Sequence, residues 1–417
     1  MRKLIGCGIA LVAALALTVP GAIGSTEQAG ITARSITIGG TFPLTGPAAA
    51  YAPIPIGMRA YFAYINARRG PDGKRGIFGR QIVWKHYDDG YNPANTIQLT
   101  RRLVEQDRVF ATVGQLGTEH NIAVRPYMNQ RRVPQSLVST GASYWGTQAR
   151  QFPWTTGWQP DYIAEGRLYG LHIRQNHGGK RIAVLYQNDD YGKDYLYGLR
   201  AALGRNYANE TIVAEVPFEV TSPTIQAQMV RIRQANAPIF VILATPTPTI
   251  QAYAFGRGLG YNPEQIYLNS VSATSAFLNI AVARSAPAYV NGSLSVAYLK
   301  DPSNPRWNND PAMRQYRQIM QRYAPGVNAN DGLYFYGVAK AETFVQAMYR
   351  AGRNPTRASY QAALNSMNQA NRFLLPGIMQ RTNARDKFII SQMQLQRFNA
   401  SNGTWALVGR LLEGRPR

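Results

Sequence analysis

The sequence predicts an α/β fold made of two doubly wound parallel-sheet lobes. Three observations predict it. Strand-like and helix-like segments alternate at roughly 30 residues per unit, the rhythm of parallel strands joined by covering helices. The alternation starts near residue 35 and restarts after Trp158. The last third then mixes both kinds of element, as suits a chain that crosses back between lobes. A length of 417 residues agrees, since about 150 residues is a common domain size.

Each element has its own signal. Residues 35–39 alternate apolar and polar and read as a strand. Residues 56–69 carry Met58, Tyr61, Phe62 and Ile65 at helical spacing and stop at Gly70. A strand follows over 81–87. Asn92-Pro93 opens a helix reaching 105, with proline where its missing N–H costs nothing. Strands over 109–113 and 133–139 flank a helix over 119–130. In the second series, helices are expected over 163–176, 192–205, 224–234 and 247–258. Strands are expected over 181–186, 212–216, 239–244 and 265–268. The final third reads as a strand over 294–299, helices over 312–323 and 333–350, and a hairpin of 391–398 with 405–408 turning at Asn402-Gly403.

Composition narrows the function. Hydrophobic residues make up 45 % and charged residues 16 %, a globular balance that excludes wholesale disorder. One stretch near the N-terminus is apolar enough to threaten a membrane, so a multi-span protein is excluded. It reads as an export leader over residues 1–24. Arg2 and Lys3 precede an apolar run of roughly 15 residues, and Ala22-Ile23-Gly24 offers a cleavage site before Ser25. The single cysteine, Cys7, precludes an internal disulfide or a cysteine-based zinc site. The formal net charge is +23, a field that speeds the arrival of anions. The basic residues are scattered, as at Arg68-Arg69, Arg101-Arg102 and Arg131-Arg132. No nucleic-acid-binding motif accompanies them.

Catalytic signatures are absent. His86, His120, His172 and His177 form no His-Glu-x-x-His array, and neither a nucleophile elbow nor a phosphate loop occurs. Gly256, Gly258 and Gly260 follow a helix and read as its stop. Asp88-Asp89 and Asp189-Asp190 sit at strand ends as loop or helix-start carboxylates. The informative segments are three loops after consecutive strands: residues 41–51, 114–118 and 139–143. They are rich in glycine and hydroxyl side chains. In open parallel sheets, ligands bind beyond the carboxyl ends of the strands, where backbone N–H groups are free. Ordinary turn and capping chemistry explains each loop taken singly.

Four segments, in order, carry a resemblance: residues 44–51 (Leu-Thr-Gly-Pro-Ala-Ala-Ala-Tyr), 87–93 (Tyr-Asp-Asp-Gly-Tyr-Asn-Pro), 133–143 and 186–192 (Tyr-Gln-Asn-Asp-Asp-Tyr-Gly). With them the chain resembles, from about residue 36 to 409, the type I periplasmic solute-binding proteins of the branched-chain amino-acid class, which deliver ligands to ABC transporters. The resemblance implies three crossovers between lobes and a cleft between them. It places residues 34–157 plus 299–374 in the first lobe and 158–298 plus 375–411 in the second. It implies a periplasmic, non-enzymatic protein without metal or cofactor, whose partners are a small-molecule carboxylate and a membrane permease, with no nucleic acid. The ligand carboxylate would meet Thr118 and the Gly141-Ala142-Ser143 segment, within reach of Gln115 and Gly117. Tyr51 and Leu116 would flank its apolar part. Tyr191 would close over it, with Trp158, Pro246 and Val271 completing the wall.

The amino-acid binders hold the ligand's ammonium with acidic residues, and the matching positions here are Gln159 and Val271. A buried ammonium without a carboxylate partner costs several kcal/mol. The expected ligand is therefore an organic anion lacking the amine, branched or aromatic. Asp161 and Asp189 are the alternative acidic partners if the alignment shifts. A true amino-acid binder and a ligand-sensing receptor domain are the competing readings.

Overall fold

The computed structural model describes residues 28–414; the expected leader lies outside them. The first sheet is entirely parallel. It contains β1 (Ser35–Phe42), β2 (Gln81–Asp88), β3 (Thr112–Val113), β4 (Gln135–Val138) and β5 (Thr155–Gly157), in the order β2-β1-β3-β4-β5. The second sheet contains β6 (Ile182–Gln187), β7 (Ile212–Phe218), β8 (Ile239–Leu243), β9 (Gln265–Leu268) and β10 (Leu294–Ala297). A small antiparallel pair, β11 (Asn368–Ala370) and β12 (Met379–Arg381), stands apart. β13 (Gln392–Asn399) and β14 (Thr404–Glu413) then join the second sheet, giving the order β14-β13-β10-β9-β8-β6-β7. β13 and β14 run antiparallel and form one edge.

The fold is that of type I periplasmic binding proteins, with two α/β lobes. β8 shows why the strands take their places. Its sequence, Ile-Phe-Val-Ile-Leu, is buried at every residue, as a strand covered by helices on both faces requires. Three chain segments pass between the lobes side by side. Gly157 N–H donates to Lys387 O (3.0 Å) and Ile390 N–H to Trp158 O (3.1 Å), while Leu375 N–H donates to Tyr298 O (3.0 Å).

Between the second and third crossings the chain lays helices Pro311–Tyr323, Gly332–Ala351 and Arg357–Asn365 on the first lobe. The long helix Gly332–Ala351 meets helix Pro53–Ala67 at Gly57 and Gly337. A Cβ on Gly57 would stand 2.2 Å from Tyr334 O, and one on Gly337 would stand 2.2 Å from Ile54 O. Any side chain there would push the two helices apart. That close approach carries Tyr336 and Lys340 to the inner wall.

Some boundaries differ from expectation. β3 is two residues long, although pairing to β1 starts earlier: Phe110 N–H donates to Thr37 O (2.7 Å) and Ala111 O accepts from Gly39 N–H (3.2 Å). The helix opened by Asn92 ends at Arg101 and continues as a π-type turn, Arg102–Gln106. The hairpin register closes at Asn399 and Thr404, so its loop is residues 400–403, with Gly403 at φ +67°. β5 carries no long apolar run and has no counterpart among the expected strands.

Candidate functional site

The loops at the carboxyl ends of the first sheet converge on the space between the lobes. The loop after β1 is tied to β2 by Asp88, which accepts from Leu44 N–H (2.9 Å), Thr45 N–H (3.2 Å) and Thr45 Oγ1 (2.6 Å). Tyr51 follows in a short helical turn. After β3 the chain turns at Gly117, whose φ of +103° suits glycine. Helix Thr118–Gln130 begins there. Thr118 Oγ1 lies 2.6 Å from Thr140 Oγ1 in the loop after β4.

The second lobe answers with Tyr191 in the first turn of helix Asp190–Leu203, which Asp189 caps. Tyr191 Oη accepts from Asn269 Nδ2. The turn after β9 holds Ser270 and Val271, and Glu165 anchors it. The Glu165 carboxylate accepts four hydrogen bonds: from Tyr169 Oη (2.6 Å), Tyr195 Oη (3.0 Å), Ser270 N–H (2.7 Å) and Ser270 Oγ (2.7 Å). Burial pushes its carboxyl above the ordinary glutamate range, and these donors oppose the shift.

The cavity between these walls is partly open to solvent. Tyr51, Tyr91, Tyr162, Tyr191, Tyr298 and Tyr336 line it, together with hydroxyls of Thr118, Ser139, Thr140 and Ser270. Burial raises the pKa of each of these tyrosines, so the phenols stay protonated and able to donate. Ile54, Leu116, Val271, Val296 and Leu333 add apolar surface.

Among the described residues lining the cavity, Asp301 carries the one carboxylate. It already accepts from Ser275 Oγ (2.6 Å), Ser303 N–H (2.9 Å) and Ser303 Oγ (2.7 Å). Lys300 beside it donates to Asp310 Oδ2 and Arg372 O, both at 2.7 Å. The charges at this end are thus engaged within the protein.

Of the residues singled out from sequence, Tyr51, Leu116, Gly117, Thr118, Gln159, Tyr191 and Val271 line this cavity together. The others lie around it. Gln115 is buried in the first lobe, donating to Thr41 Oγ1 (3.2 Å) and Thr100 Oγ1 (2.9 Å). Gly141 O accepts from Tyr162 N–H (2.8 Å), and Ala142 is fully buried. Ser143 turns to the second lobe. Trp158 sits behind the wall, donating from Nε1 to Thr343 Oγ1 (2.9 Å), its ring centroid 4.8 Å from that of Tyr336. Pro246 begins a helix, and its neighbour Thr245 reaches the lining instead. Asp161 and Asp189 both cap helices.

Sequence reasoning missed Tyr162, Tyr298, Tyr336 and Lys340. They come from a crossover, a strand end and a distant helix, where no loop motif marks them.

The two lobes touch across the mouth of the cleft. Asp194 accepts from Ser143 N–H (2.7 Å) and Ser143 Oγ (3.0 Å). Tyr144 Oη donates to Asp190 Oδ2 (3.1 Å), and Glu119 Oε1 accepts from Asp190 N–H (3.0 Å). Tyr51 Oη donates to Val271 O (3.3 Å). Burial lifts the Asp194 carboxyl to about 6, against the pull of the Ser143 donors, with Asp161 and Asp190 adding to the rise.

Comparison with known proteins agrees with this architecture. The family model described as periplasmic binding protein matches residues 35–404. A Pseudomonas aeruginosa protein described as an amino acid binding protein is 22 % identical over 357 residues, 83 % of this chain and 86 % of that one. A fatty acid ABC transporter substrate-binding protein from Thermomonospora curvata superposes with a TM-score of 0.77 at 16 % identity, covering 93 % of this chain and 94 % of the other. A branched-chain amino acid ABC transporter protein from Thermus thermophilus, with bound valine, gives 0.76 at 17 % identity, covering 91 % and 97 %.

Proposed function

The chain belongs to the periplasmic binding protein family, and from that premise we propose that it is the extracytoplasmic solute-binding component of an ABC importer. Its ligand is a small carboxylate without an α-amine, aromatic or branched. The observation that carries this reading is the composition of the cavity wall. Tyrosine, threonine and serine hydroxyls dominate the polar lining, while the one lining carboxylate among the described residues is already engaged by Ser275 and Ser303. An ammonium group would be desolvated there without a counter-charge, at a cost of several kcal/mol. A carboxylate would find donors.

The lobes, residues 34–157 with 299–374 and 158–298 with 375–411, close over the ligand. Binding shifts an open–closed equilibrium because full contact exists in the closed form alone. The closed form presents a composite surface to a membrane permease. No bond in the ligand is made or broken. The leader expected at residues 1–24 would direct the protein to the periplasm. Among the described residues, no helix is long and apolar enough to cross a membrane.

A second reading is an amino-acid binder, favoured by the description of the Pseudomonas aeruginosa relative. One experiment separates the two. Titration calorimetry is run with benzoate, phenylacetate, hexanoate, 4-methyl-2-oxopentanoate, leucine and valine. Binding of the acids without the amine supports the proposal; binding of leucine or valine alone overturns it. A ligand at 100 times its dissociation constant should also stabilise the fold by roughly 2.7 kcal/mol in thermal unfolding.

A further inference from the structure

A buried lysine lies behind the first-lobe wall of the cavity. Lys340, on helix Gly332–Ala351, is fully buried. Among the described residues no carboxylate pairs with it. Its ammonium donates to Ser139 Oγ and to Tyr336 Oη (2.9 Å) and lies over the rings of Trp158 (5.0 Å) and Tyr336 (4.3 Å). Ser139 passes its own hydrogen to Gly114 O (2.7 Å), which ends that branch.

The other branch continues. Tyr336 Oη donates to Gln159 Oε1 (2.6 Å), and Gln159 Nε2 donates to Tyr162 Oη (3.1 Å). Lysine's ammonium has donors and no acceptor. A chain that starts from it therefore has one direction. Tyr336 accepts from Lys340 and must donate onward. That orients the Gln159 amide, and its N–H₂ then faces Tyr162. Tyr162 accepts from Gln159, so its own hydrogen is not committed to that amide, and Tyr162 lines the cavity. A Tyr162 hydrogen turned to the cavity is a donor for an anionic ligand.

We propose that Lys340 is a positioning residue that sets the direction of this chain through Tyr336, Gln159 and Tyr162, so that the cavity selects a ligand with an anionic acceptor at that end. The inference rests on the carboxylate reading above and adds the residue that enforces it. Gln159 is its reversible element, because an amide has one accepting and one donating end, whereas a carboxylate accepts at both. Burial disfavours the charged form of the Lys340 amine, and an anion bound nearby would favour the ammonium from which the chain runs. An anion in the cavity would supply the counter-charge that the protein itself omits.

The test compares wild type, Lys340→Met and Gln159→Glu by calorimetry, with benzoate against benzamide and hexanoate against hexanamide. Wild type should prefer each acid to its amide. Lys340→Met should lose about tenfold or more of that preference without a fall in the ligand-free thermal midpoint. Gln159→Glu, nearly isosteric, should turn the Tyr162 hydroxyl away from the ligand and shift the preference toward the amide. If Lys340→Met keeps the acid preference while its midpoint falls, Lys340 is a structural brace and the inference is overturned. If Lys340→Met does not fold, Gln159→Glu decides, and an unchanged acid preference there overturns it. A wild-type protein that binds none of the acids overturns the carboxylate reading itself, and the inference with it. Acid preference in wild type that persists in both variants overturns the Lys340 inference alone.

Discussion

Glu165 and Lys340 are buried on opposite sides of the cleft, and the two are handled in opposite ways. Glu165 behind the second-lobe wall receives four hydrogen bonds from Tyr169, Tyr195 and Ser270. Those bonds fill its acceptor positions and fasten the Ser270–Val271 turn. Lys340 behind the first-lobe wall has two oxygen partners and two aromatic faces, and no opposite charge. A satisfied buried charge builds structure. An unsatisfied one is a cost that a complementary ligand can relieve.

The largest effect is expected at Glu165. Glu165→Ala leaves the Tyr195 phenol and the Ser270 N–H and hydroxyl without their acceptor, while the Tyr169 phenol keeps Leu268 O (2.9 Å). The loss should reach about 3–5 kcal/mol, read as a lower urea midpoint. A loss under about 1 kcal/mol would show that Glu165 does not hold the second wall.

Next comes Asp194, a carboxylate between the lobes rather than behind either wall. Its carboxyl is raised to about 6 by burial in the closed form, while an open cleft returns it to water and to an ordinary value near 3.8. The closed form therefore takes up a proton between those two values. Its contribution to closure is full below the lower one and is lost as pH rises through the upper. Lowering the pH from 7 to 5 should favour closure by about 1 kcal/mol, seen as a smaller radius of gyration in small-angle scattering. Asp194→Asn should flatten that response, and an unchanged pH response in the variant would assign it to Glu119 or Asp189 instead, both raised by burial.

Thr118→Val probes the hydroxyl side of the wall. It removes one donor and strands the Thr140 hydroxyl 2.6 Å away. Affinity for whichever acid binds wild type should fall by about 1 kcal/mol, or roughly fivefold, with little change in unfolding. The smallest expected effect is on ligand-free stability in Lys340→Met. Replacing an unpaired buried cation by an apolar chain should leave the urea midpoint within about 1 kcal/mol of wild type, or higher. Opposite outcomes at Glu165 and Lys340 would confirm the contrast; a large loss at both would erase it.

Much of the fold was legible because strand and helix periodicity is local. Residues 239–244 read as a strand because an unbroken apolar run of that length fits a strand covered on both faces, and β8 occupies its first five residues. β5, with Thr-Thr-Gly, had no such run and escaped notice. The candidate site divides along the same line. Thr118, Leu116 and Tyr51 sit in loops that follow strands directly, so their place at the cleft follows from chain order. Ser143 sits in such a loop too, yet its side chain is taken by Asp194 from the other lobe. Which of two neighbouring hydroxyls faces the cavity depends on what packs opposite.

From sequence alone came the doubly wound lobes, their order and the loops that meet at the cleft, because alternation, capping and turn chemistry act over a few residues. The tertiary structure alone decided the polarity of the cavity. Lys340 meets Ser139 across 201 positions of sequence and Tyr336 meets Gln159 across 177. Contacts that distant are set by the close seating of helix Gly332–Ala351 at Gly57 and Gly337. The charge state of a buried group is then set by burial and by those neighbours, which no local pattern records.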